Sequence, residues 1–220
     1  MNRISQALGG CARAQIRPLV RYLVQAVSPA SVTDYGCGDG AWLSEFRATG
    51  VEQTIGIDRR FGLRHEVGTF VEADLSDARV VWDNGIVGVR PKAPSLAVCV
   101  ELAEHLPEKC APQLVSTLAR HDAVAFSAAI PGQGGWGHRN EQWQSWWAEL
   151  FAGHGFAASL GLRREFWEHR EIPVWYRQNL VLYRKGDVMN VLPSADLDVV
   201  HPDLWRRRSL MGLLAYWRSR

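Results

Sequence analysis

The sequence predicts an α/β fold in which a parallel sheet is covered by helices on both faces, a doubly wound arrangement. Three observations predict it. Short apolar, strand-like runs alternate with helix-like segments from residue 31 to residue 183. The run at residues 96–100, LAVCV, shows no polar alternation, as expected of a central strand covered on both sides. A glycine cluster at residues 36–40 directly follows the first run, as at a strand-to-helix turn.

The elements can be assigned in chain order from these patterns. The predicted strands are residues 31–34, 54–57, 70–73, 96–100, 124–126 and 179–183. Five helices are predicted. The first has Pro18 in its first turn and ends at Ser28-Pro29, and the second starts at residue 42 and is closed by Gly50. The third is opened by Pro107, the fourth covers residues 143–150 with Asn140 as its cap, and the fifth is a C-terminal helix around residues 205–217. Residues 76–94 form a connection, with a short strand of its own as an alternative. We therefore expect an N-terminal helical segment (1–30), a main domain (31–186) and a C-terminal extension with a short helix (187–220).

Composition and charge narrow the function classes. The 220 residues are 47% apolar and 22% charged, which suits one folded domain with a core. A formal charge of +2 argues against a dedicated nucleic-acid coat protein. No apolar run approaches the roughly 18 residues that span a bilayer, and the N-terminus lacks the apolar core of a secretion signal. The cysteines (Cys11, Cys37, Cys99, Cys110) are scattered without CxxC pairs, so we expect a cytoplasmic protein without a zinc cage, as a monomer or homodimer.

Acidic side chains follow the ends of the first three strands. Asp34 precedes the glycine cluster, Asp58 ends the second strand about 20 residues on, and Asp74 ends the third. A carboxylate at the second position accepts hydrogen bonds from a ribose diol, and one at the third reaches an adenine edge. The glycines of the loop are spaced G-x-G-x-G, and Asp34 and Asp39 lie beside them. These two carboxylates would repel a pyrophosphate but suit a ligand with an ammonium group. S-adenosylmethionine carries both an ammonium and a sulfonium.

Four segments together resemble the successive motifs of class I S-adenosylmethionine-dependent methyltransferases: DYGCGDG (34–40), GID (56–58), ADL (73–75) and CVELAEHL (99–106). They occur in the family's order and spacing over roughly residues 30 to 185. The resemblance implies a Rossmann-like, seven-stranded sheet whose last strand is antiparallel, and S-adenosylmethionine as the methyl donor. It also implies how the cofactor is held: methionine in the loop of Asp34, Gly36, Cys37 and Gly38, ribose on Asp58, adenine beside Asp74 and Leu75, and Glu101 near the sulfonium end.

Two histidines are candidates for proton transfer, because an imidazole titrates near neutrality. His105 follows Glu104 after the fourth strand, and His138 lies in the glycine-rich loop after the fifth. We predict His138 as the general base, with His105 and Glu104 orienting the acceptor. A structural interpretation, in which Glu104 and His105 only satisfy backbone donors, stays open. The segment Glu101-x-x-Glu104-His105 also resembles the divalent-metal motif of small-RNA ribose methyltransferases, so a site of Glu101, Glu104, His105 and His138 is an alternative to the favoured metal-free interpretation.

The loop at residues 131–142 is the predicted acceptor site, since it follows the fifth strand and lies on the ligand side of the sheet. Trp136 in this loop can stack on a planar or sugar-like acceptor, and Asn140 and Glu141 supply polar contacts. Trp146 and Trp147, at helical spacing, are predicted to pack in the core.

These features predict a methyltransferase for a small-molecule acceptor, with transfer to oxygen favoured and a sugar or phenolic hydroxyl as the acceptor group. One alternative is an RNA or protein acceptor, with phosphate contacts from arginines at 163, 164, 206, 207 and 208 if they share one face. The other is a non-catalytic, cofactor-binding domain that keeps the fold.

Overall fold

The computed structural model describes residues 13–59, 68–76, 91–186 and 192–207. The strands are β1 (Ser31–Tyr35), β2 (Gln53–Asp58), β3 (Thr69–Glu72), β4 (Ser95–Val100), β5 (Ala123–Ser127), β6 (Phe156–Ser159) and β7 (Val181–Lys185). The helices are α1 (Arg13–Val27), α2 (Ala41–Ala48), α3 (Ala111–Leu118), α4 (Gln144–Ala152), α5 (Gly161–Phe166), α6 (Val174–Asn179) and α7 (Ser194–Leu197). Short 3-10 turns at Ala103–His105 and Glu108–Cys110 follow β4.

The seven strands form one sheet in the order β3-β2-β1-β4-β5-β7-β6. All neighbouring pairs among β1 to β5 are parallel, whereas β7 runs antiparallel to both β5 and β6. This confirms the predicted Rossmann-like sheet with its antiparallel last strand. The strand order reverses between β1 and β4, which is where ligands bind in open α/β sheets.

Two apolar layers cover the sheet. On one face, α3 and α4 pack against the strands around Phe126, Trp147 and Phe151. On the other face, α1, α2, α5 and α6 pack around Leu23, Leu43 and other buried side chains. Every residue of β4 is buried, which confirms that this apolar run is a central strand.

Two predicted element boundaries were wrong, and one strand was missed. Pro18 lies inside α1 and not in its first turn, because the apolar face continues upstream to Ile16, which is fully buried. Asn179 ends helix α6 and does not belong to the last strand, which begins at Val181. The strand β6 was not identified from the sequence, since its one large apolar residue, Phe156, is followed only by two alanines and a serine.

The predicted cap of the tryptophan-rich helix was also wrong. Asn140 is buried four residues before α4, and its backbone N–H donates to the Glu104 carbonyl. The start of the helix is capped by Asp198 from the C-terminal segment, which accepts hydrogen bonds from the Ser145 N–H at 2.8 Å and the Ser145 hydroxyl at 2.6 Å. A residue far away in the sequence therefore caps this helix, in place of the nearby residue that the sequence predicted. Trp147 is fully buried, as predicted, and Trp146 packs edge-on against it, partly buried.

The described part of the C-terminal extension is fastened to the main domain by a buried arginine. The guanidinium of Arg163 donates to the carbonyls of Asp196, Leu197 and Gln178 at 2.9–3.0 Å. Arg163 is therefore not available for the phosphate contact that was considered for an RNA acceptor. Its neighbour Arg164 is exposed. Arg208, most of the predicted C-terminal helix and most of the 76–94 connection lie outside the described residues. The division of the chain into segments 1–30, 31–186 and 187–220 stays a prediction.

None of the helices in the described ranges combines the length and apolar character that crossing a bilayer takes.

We expect Arg163→Met to lower the free energy of unfolding by about 2–4 kcal/mol, because three carbonyls, two of them in buried hydrogen bonds, lose a charged donor. The matched control, Arg164→Met, removes an exposed side chain of the same length and should change the value by less than about 0.5 kcal/mol. Urea unfolding followed by circular dichroism measures both. Equal effects at the two positions would show that the C-terminal segment is not held by Arg163.

Candidate active site

The loop between β1 and α2 has a backbone that glycine makes accessible. Gly36 and Gly38 adopt left-handed conformations, with φ of 82° and 53°. A Cβ on Gly36 would press on the Leu102 side chain at 3.0 Å, whereas nothing lies within 4 Å of the corresponding position at Gly38. The loop is thus packed against the β4 end on one side and open at Gly38, a cradle that a ligand can approach closely.

Asp58, the last residue of β2, is bonded to the backbone of this loop. Its carboxylate accepts hydrogen bonds from the N–H of Gly38 at 2.9 Å and from the N–H of Arg59 at 2.6 Å. Asp74, after β3, accepts from the N–H and hydroxyl of Ser76, and these bonds lower the pKa of its carboxyl. Both predicted nucleoside-binding acids are therefore held in fixed orientations at the carboxyl edge of the sheet.

Asp34 is a buried acid with an unmatched oxygen. Its side chain is 1% exposed, and Oδ1 has no hydrogen-bond partner among the described residues. Removal from water, and then the nearby carboxylates of Asp58 and Asp39, raise the pKa of Asp34 to about 8. A cationic ligand at this position would remove the electrostatic penalty.

The side chains of two predicted cofactor residues point into the protein. Cys37 is 5% exposed, and a Cβ on Gly56 would lie 2.9 Å from its sulfur. Leu75 is 4% exposed and belongs to the core cluster on one sheet face. At these two positions the backbone, and not the thiol or the isobutyl group, is what a cofactor can contact in the described structure.

Two carboxyls lie together beyond β4. Glu101 has a left-handed backbone with φ of 53°, its N–H donates to Ser127 at 3.1–3.2 Å, and its Oε1 accepts from the Ser127 hydroxyl at 2.8 Å. Glu104 is fully buried and lies beside Glu101. Burial raises the pKa of both carboxyls, and the Glu101 charge raises that of Glu104 further. Such a strained backbone in a non-glycine residue is typical of functional sites.

The two candidate histidines meet edge to face, with ring centroids 5.0 Å apart. Nδ1 of His138 lies 2.9 Å from a Glu141 oxygen, which leaves Nε2 for another partner. The Glu141 carboxylate also accepts the N–H groups of Gly132 and Gly134, so it organises the loop as well. Gly135 is required for space, because a Cβ there would overlap the His138 ring.

The environment of His105 disfavours its charged form. Burial and the neighbouring His138 lower the pKa of His105, against a raising hydrogen bond to the Gly137 backbone. Ligand atoms of Glu104, His105 and His138 all lie within 4.8 Å of one another, and both Glu104 oxygens lack a geometrically good hydrogen-bond donor among the described residues. These three side chains can therefore hold a cation or orient an acceptor.

The predicted acceptor residues divide into exposed and buried ones. Trp136 is 74% exposed, directly before Gly137, which approaches His105. Asn140 is buried, and its Oδ1 accepts from Gln142 at 3.2 Å, so it anchors the loop. Glu141 supports the loop and His138, as described above. An acceptor that enters beside His138 would meet Trp136 first among these three.

Three polar residues of the site were missed from the sequence: Ser127, Gln133 and Asn179. Ser127 ends β5 and binds Glu101. Asn179 donates to Gln133 at 3.1 Å, and its side chain lowers the pKa of the nearby Glu101 carboxyl. Their separation along the chain hides the connection. The one available signal is the antiparallel direction of the last strand, which brings the residues before it to the ligand edge.

Comparison with known proteins defines the class. A family model described as a methyltransferase domain matches residues 11–169, well over half of the chain. The chain belongs to this family and is a class I methyltransferase whose methyl donor is S-adenosylmethionine. No functionally curated protein sequence matches it.

Solved structures with the same fold include enzymes for different acceptors. Magnesium protoporphyrin IX methyltransferase from Synechocystis, with bound S-adenosylhomocysteine, is similar with a TM-score of 0.55 and 15% identity over 84% of this chain and 89% of that one. The methyltransferase domain of bacterial CtHen1-C gives 0.53 and 19% over 78% and 97%. Human N-acetylserotonin methyltransferase, with S-adenosylmethionine, gives 0.53 and 15% over 84% and 55%. At these identities the similarity establishes the fold, and the acceptor has to be argued from the site.

We expect Asp34→Asn to make the ligand-free protein more stable than the wild type at pH 8, by more than about 1 kcal/mol, and nearly equal to it at pH 4. The pKa of Asp34 is raised in the folded state, so its contribution to stability is present below the unfolded pKa and is lost as the pH rises towards about 8. Thermal unfolding across this pH range measures the difference. Asp39→Asn, at an exposed neighbour, is the control and should show a much smaller pH-dependent gain. A constant difference between wild type and Asp34→Asn would contradict the burial argument.

Proposed function

We propose that this methyltransferase transfers a methyl group to a hydroxyl oxygen of a small-molecule acceptor, with a sugar or phenolic hydroxyl favoured. The observation that carries the proposal is the pairing of His138 with Glu141 in a loop that exposes Trp136 at the carboxyl edge of the sheet. A hydroxyl acceptor needs a base, and an apolar ring face beside it suits a planar or sugar-like molecule.

The residues present fit S-adenosylmethionine. The unmatched, buried Asp34 suits the ammonium group, and the open face at Gly38 admits the methionine part next to the Gly36 and Cys37 backbone. Asp58 is the proposed ribose ligand, and Asp74 and Leu75 adjoin adenine. When bound, the cofactor supplies a methyl group that its sulfonium makes electrophilic.

In the proposed mechanism, His138 takes the proton of the acceptor hydroxyl at Nε2 as the oxygen attacks. The hydrogen bond from Nδ1 to Glu141 fixes the neutral tautomer that leaves Nε2 as the acceptor, and it stabilises the imidazolium that forms. His105 and Glu104 orient the acceptor against this nitrogen. Two of the similar structures have names that specify a small molecule, a magnesium protoporphyrin and N-acetylserotonin. Their names are consistent with a small-molecule acceptor for this protein.

The proposed setting is the cytoplasm, with a monomer or homodimer as the working unit. Three cysteines in the described ranges, Cys37, Cys99 and Cys110, are free and buried, which supports a reducing compartment.

The test begins with the cofactor. Isothermal titration should show binding of S-adenosylmethionine and S-adenosylhomocysteine, and binding of NAD alone would overturn the proposal. Incubating extracts with labelled S-adenosylmethionine and following the label by mass spectrometry then identifies the methylated product, whose added mass and fragmentation show whether oxygen received the methyl group. Transfer to protein or RNA, or to no acceptor at all, would contradict a small-molecule hydroxyl.

We expect His138→Ala to lower turnover by roughly 10²–10⁴-fold, the usual cost of losing a general base, with cofactor affinity nearly unchanged. His154→Ala, at an exposed position after α4, is the matched control and should keep wild-type turnover. If His105→Ala is impaired and His138→Ala is not, the roles of the two histidines are exchanged. If both retain activity, the acceptor is an amine or is already ionised.

A second candidate function is methyl transfer assisted by a divalent cation, with a ribose 2′-hydroxyl of RNA as acceptor. The observation in its favour is the close group of Glu104, His105 and His138, in which the buried Glu104 carboxylate has no good protein donor and Glu101 lies in contact with it. Carboxylate ligands suit both Mn²⁺ and Mg²⁺, and the two imidazoles favour Mn²⁺ over Mg²⁺, which prefers oxygen ligands. A bound cation would neutralise the buried charges and polarise the acceptor oxygen.

We expect Glu104→Gln to abolish Mn²⁺ binding if this second candidate is correct, because it removes a charged ligand from the buried group. Glu108→Gln, an exposed glutamate on the following turn, is the control and should bind Mn²⁺ like the wild type. Isothermal titration with MnCl₂ measures both. Wild-type protein that binds no Mn²⁺, and whose methyl transfer survives a chelator, would exclude the metal-assisted candidate.

A further inference from the structure

The turn that follows β5 is fixed by its own sequence. Residues 130–133, IPGQ, form a β-turn with the type II pattern, in which proline and a left-handed glycine (Gly132, φ 78°) occupy the two central positions. The N–H of Gln133 closes the turn by donating to the Ile130 carbonyl at 2.9 Å. The turn therefore gives Gln133 a defined backbone position at the carboxyl edge of the sheet.

The side-chain amide of Gln133 is held in one orientation by two donors. Its Oε1 accepts from the Ile130 N–H at 3.3 Å and from Nδ2 of Asn179, a fully buried residue, at 3.1 Å. A backbone N–H can only donate, so the amide atom that faces Ile130 is the oxygen. The NH₂ group of Gln133 therefore lies on the other side of the amide. It donates to none of the described residues, and the side chain is only partly buried.

This NH₂ group belongs to the same braced loop as the proposed base. The glycines on either side of Gln133 both donate to the Glu141 carboxylate, Gly132 at 2.8 Å and Gly134 at 2.7 Å. The oxygen that accepts from Gly134 also lies 2.9 Å from Nδ1 of His138. One carboxylate thus fixes the spacing between Gln133 and His138, so both side chains can contact one bound molecule.

We propose that Gln133 is an acceptor-binding residue, whose NH₂ group donates to a second oxygen of the acceptor while His138 takes the proton of the first. The inference rests on the proposed function and narrows it. A monohydric phenol has one oxygen, which the methyl transfer itself uses, and leaves the Gln133 donor without a partner. The acceptor therefore carries at least two oxygen groups and is a saccharide or a similar polyol.

The chemistry of the loop favours a neutral second oxygen. Carboxylates and phosphates are bound most strongly by charged donors, whereas an amide NH₂ matches the oxygen of a hydroxyl group. Trp136, which is 74% exposed, lies three residues after Gln133 and offers an aromatic face for the C–H groups of a sugar ring. A saccharide has both features, an apolar ring face and several neutral oxygens around it.

The first experiment measures binding of neutral probes to the complex with S-adenosylhomocysteine by saturation-transfer NMR. The probes are the methyl glycosides of glucose, galactose, mannose and rhamnose, with phenol for comparison. We expect at least one glycoside to bind more tightly than phenol does. Gln133→Met should weaken that glycoside about tenfold, because one hydrogen bond to the ligand is lost, and should change the Kd of S-adenosylhomocysteine by less than about twofold.

The matched control is Gln144→Met. Gln144 is a fully buried amide that donates to the Ala128 carbonyl at 3.0 Å, in the same segment after β5. Its NH₂ group is used inside the protein, so its loss should lower the unfolding midpoint and leave the glycoside Kd within about twofold of the wild-type value.

A second variant tests direct contact and keeps the inward bonds of the turn. In Gln133→Glu, one carboxylate oxygen accepts from Ile130 and Asn179 as before, and the outward donor becomes an acceptor. A sugar hydroxyl can reverse its hydrogen bond and donate to that oxygen, but a fluorine in its place cannot. Among the monodeoxyfluoro analogues of the bound glycoside, we expect one position at which Gln133→Glu weakens binding about fivefold more than it weakens the parent glycoside.

Three outcomes would overturn the inference: no glycoside that binds more tightly than phenol, a glycoside Kd that Gln133→Met leaves unchanged or that Gln144→Met changes as strongly, or no fluorinated position that distinguishes Gln133→Glu. If Gln133→Met fails to fold, the fluorinated series with Gln133→Glu decides. Failure of the proposed function has a different signature, because labelled S-adenosylmethionine would then methylate no small-molecule hydroxyl at all. Failure of this inference alone leaves that transfer intact and insensitive to position 133.

Discussion

Parallel pairing of β4 with β1 and β5 brings together residues that are far apart in the chain. Because β1, β2, β4 and β5 all point the same way, their last residues share one edge, and Asp34, Asp58, Glu101 and Ser127 meet there. The strand order reverses between β1 and β4, which opens the crevice between the loops that follow them. The contacts of Asp58 with Gly38, of Glu101 with Ser127 and of His105 with His138 depend on this alignment, since each joins residues that follow different strands.

The alignment concentrates negative charge in a place poor in water. Burial raises the pKa of Asp34, Glu101 and Glu104, and in two of these a neighbouring carboxylate raises it further. Backbone N–H groups stabilise the charged form of the neighbouring Asp58 and Asp74 carboxylates. A site of this kind favours cations, and a cofactor with an ammonium and a sulfonium matches it better than a pyrophosphate would. The same electrostatics would favour a divalent ion at Glu104, so charge alone does not separate the two candidate mechanisms.

The acceptor side of the site is built from loops that support one another. Glu141 holds both the glycine-rich loop and His138, and the loop backbone at Asn140 is anchored to the Glu104 carbonyl. The C-terminal segment contributes from outside, since Asp198 caps α4 and Arg163 fixes the carbonyls around α7. A well-braced loop of this type can place a base with the accuracy that methyl transfer needs.

The sequence by itself determined the fold class, the cofactor and the acids that follow β1, β2 and β3. Strand and helix periodicity and the glycine spacing are local properties, so they can be read without knowing which segments pack together. The pairing of His105 with His138 and the contacts of Glu104 were decided by tertiary structure, because these residues are about 30 positions apart and meet only when β4 and β5 lie side by side. The same holds for Asp198 as the cap of α4, which displaced the local candidate Asn140, and for Arg163, whose charge suggests the surface but whose guanidinium is used inside. Asn179 was assigned to the last strand, whereas it ends α6; its place at the ligand edge follows from the reversed direction of β7, which the family resemblance implied but the local residues do not encode.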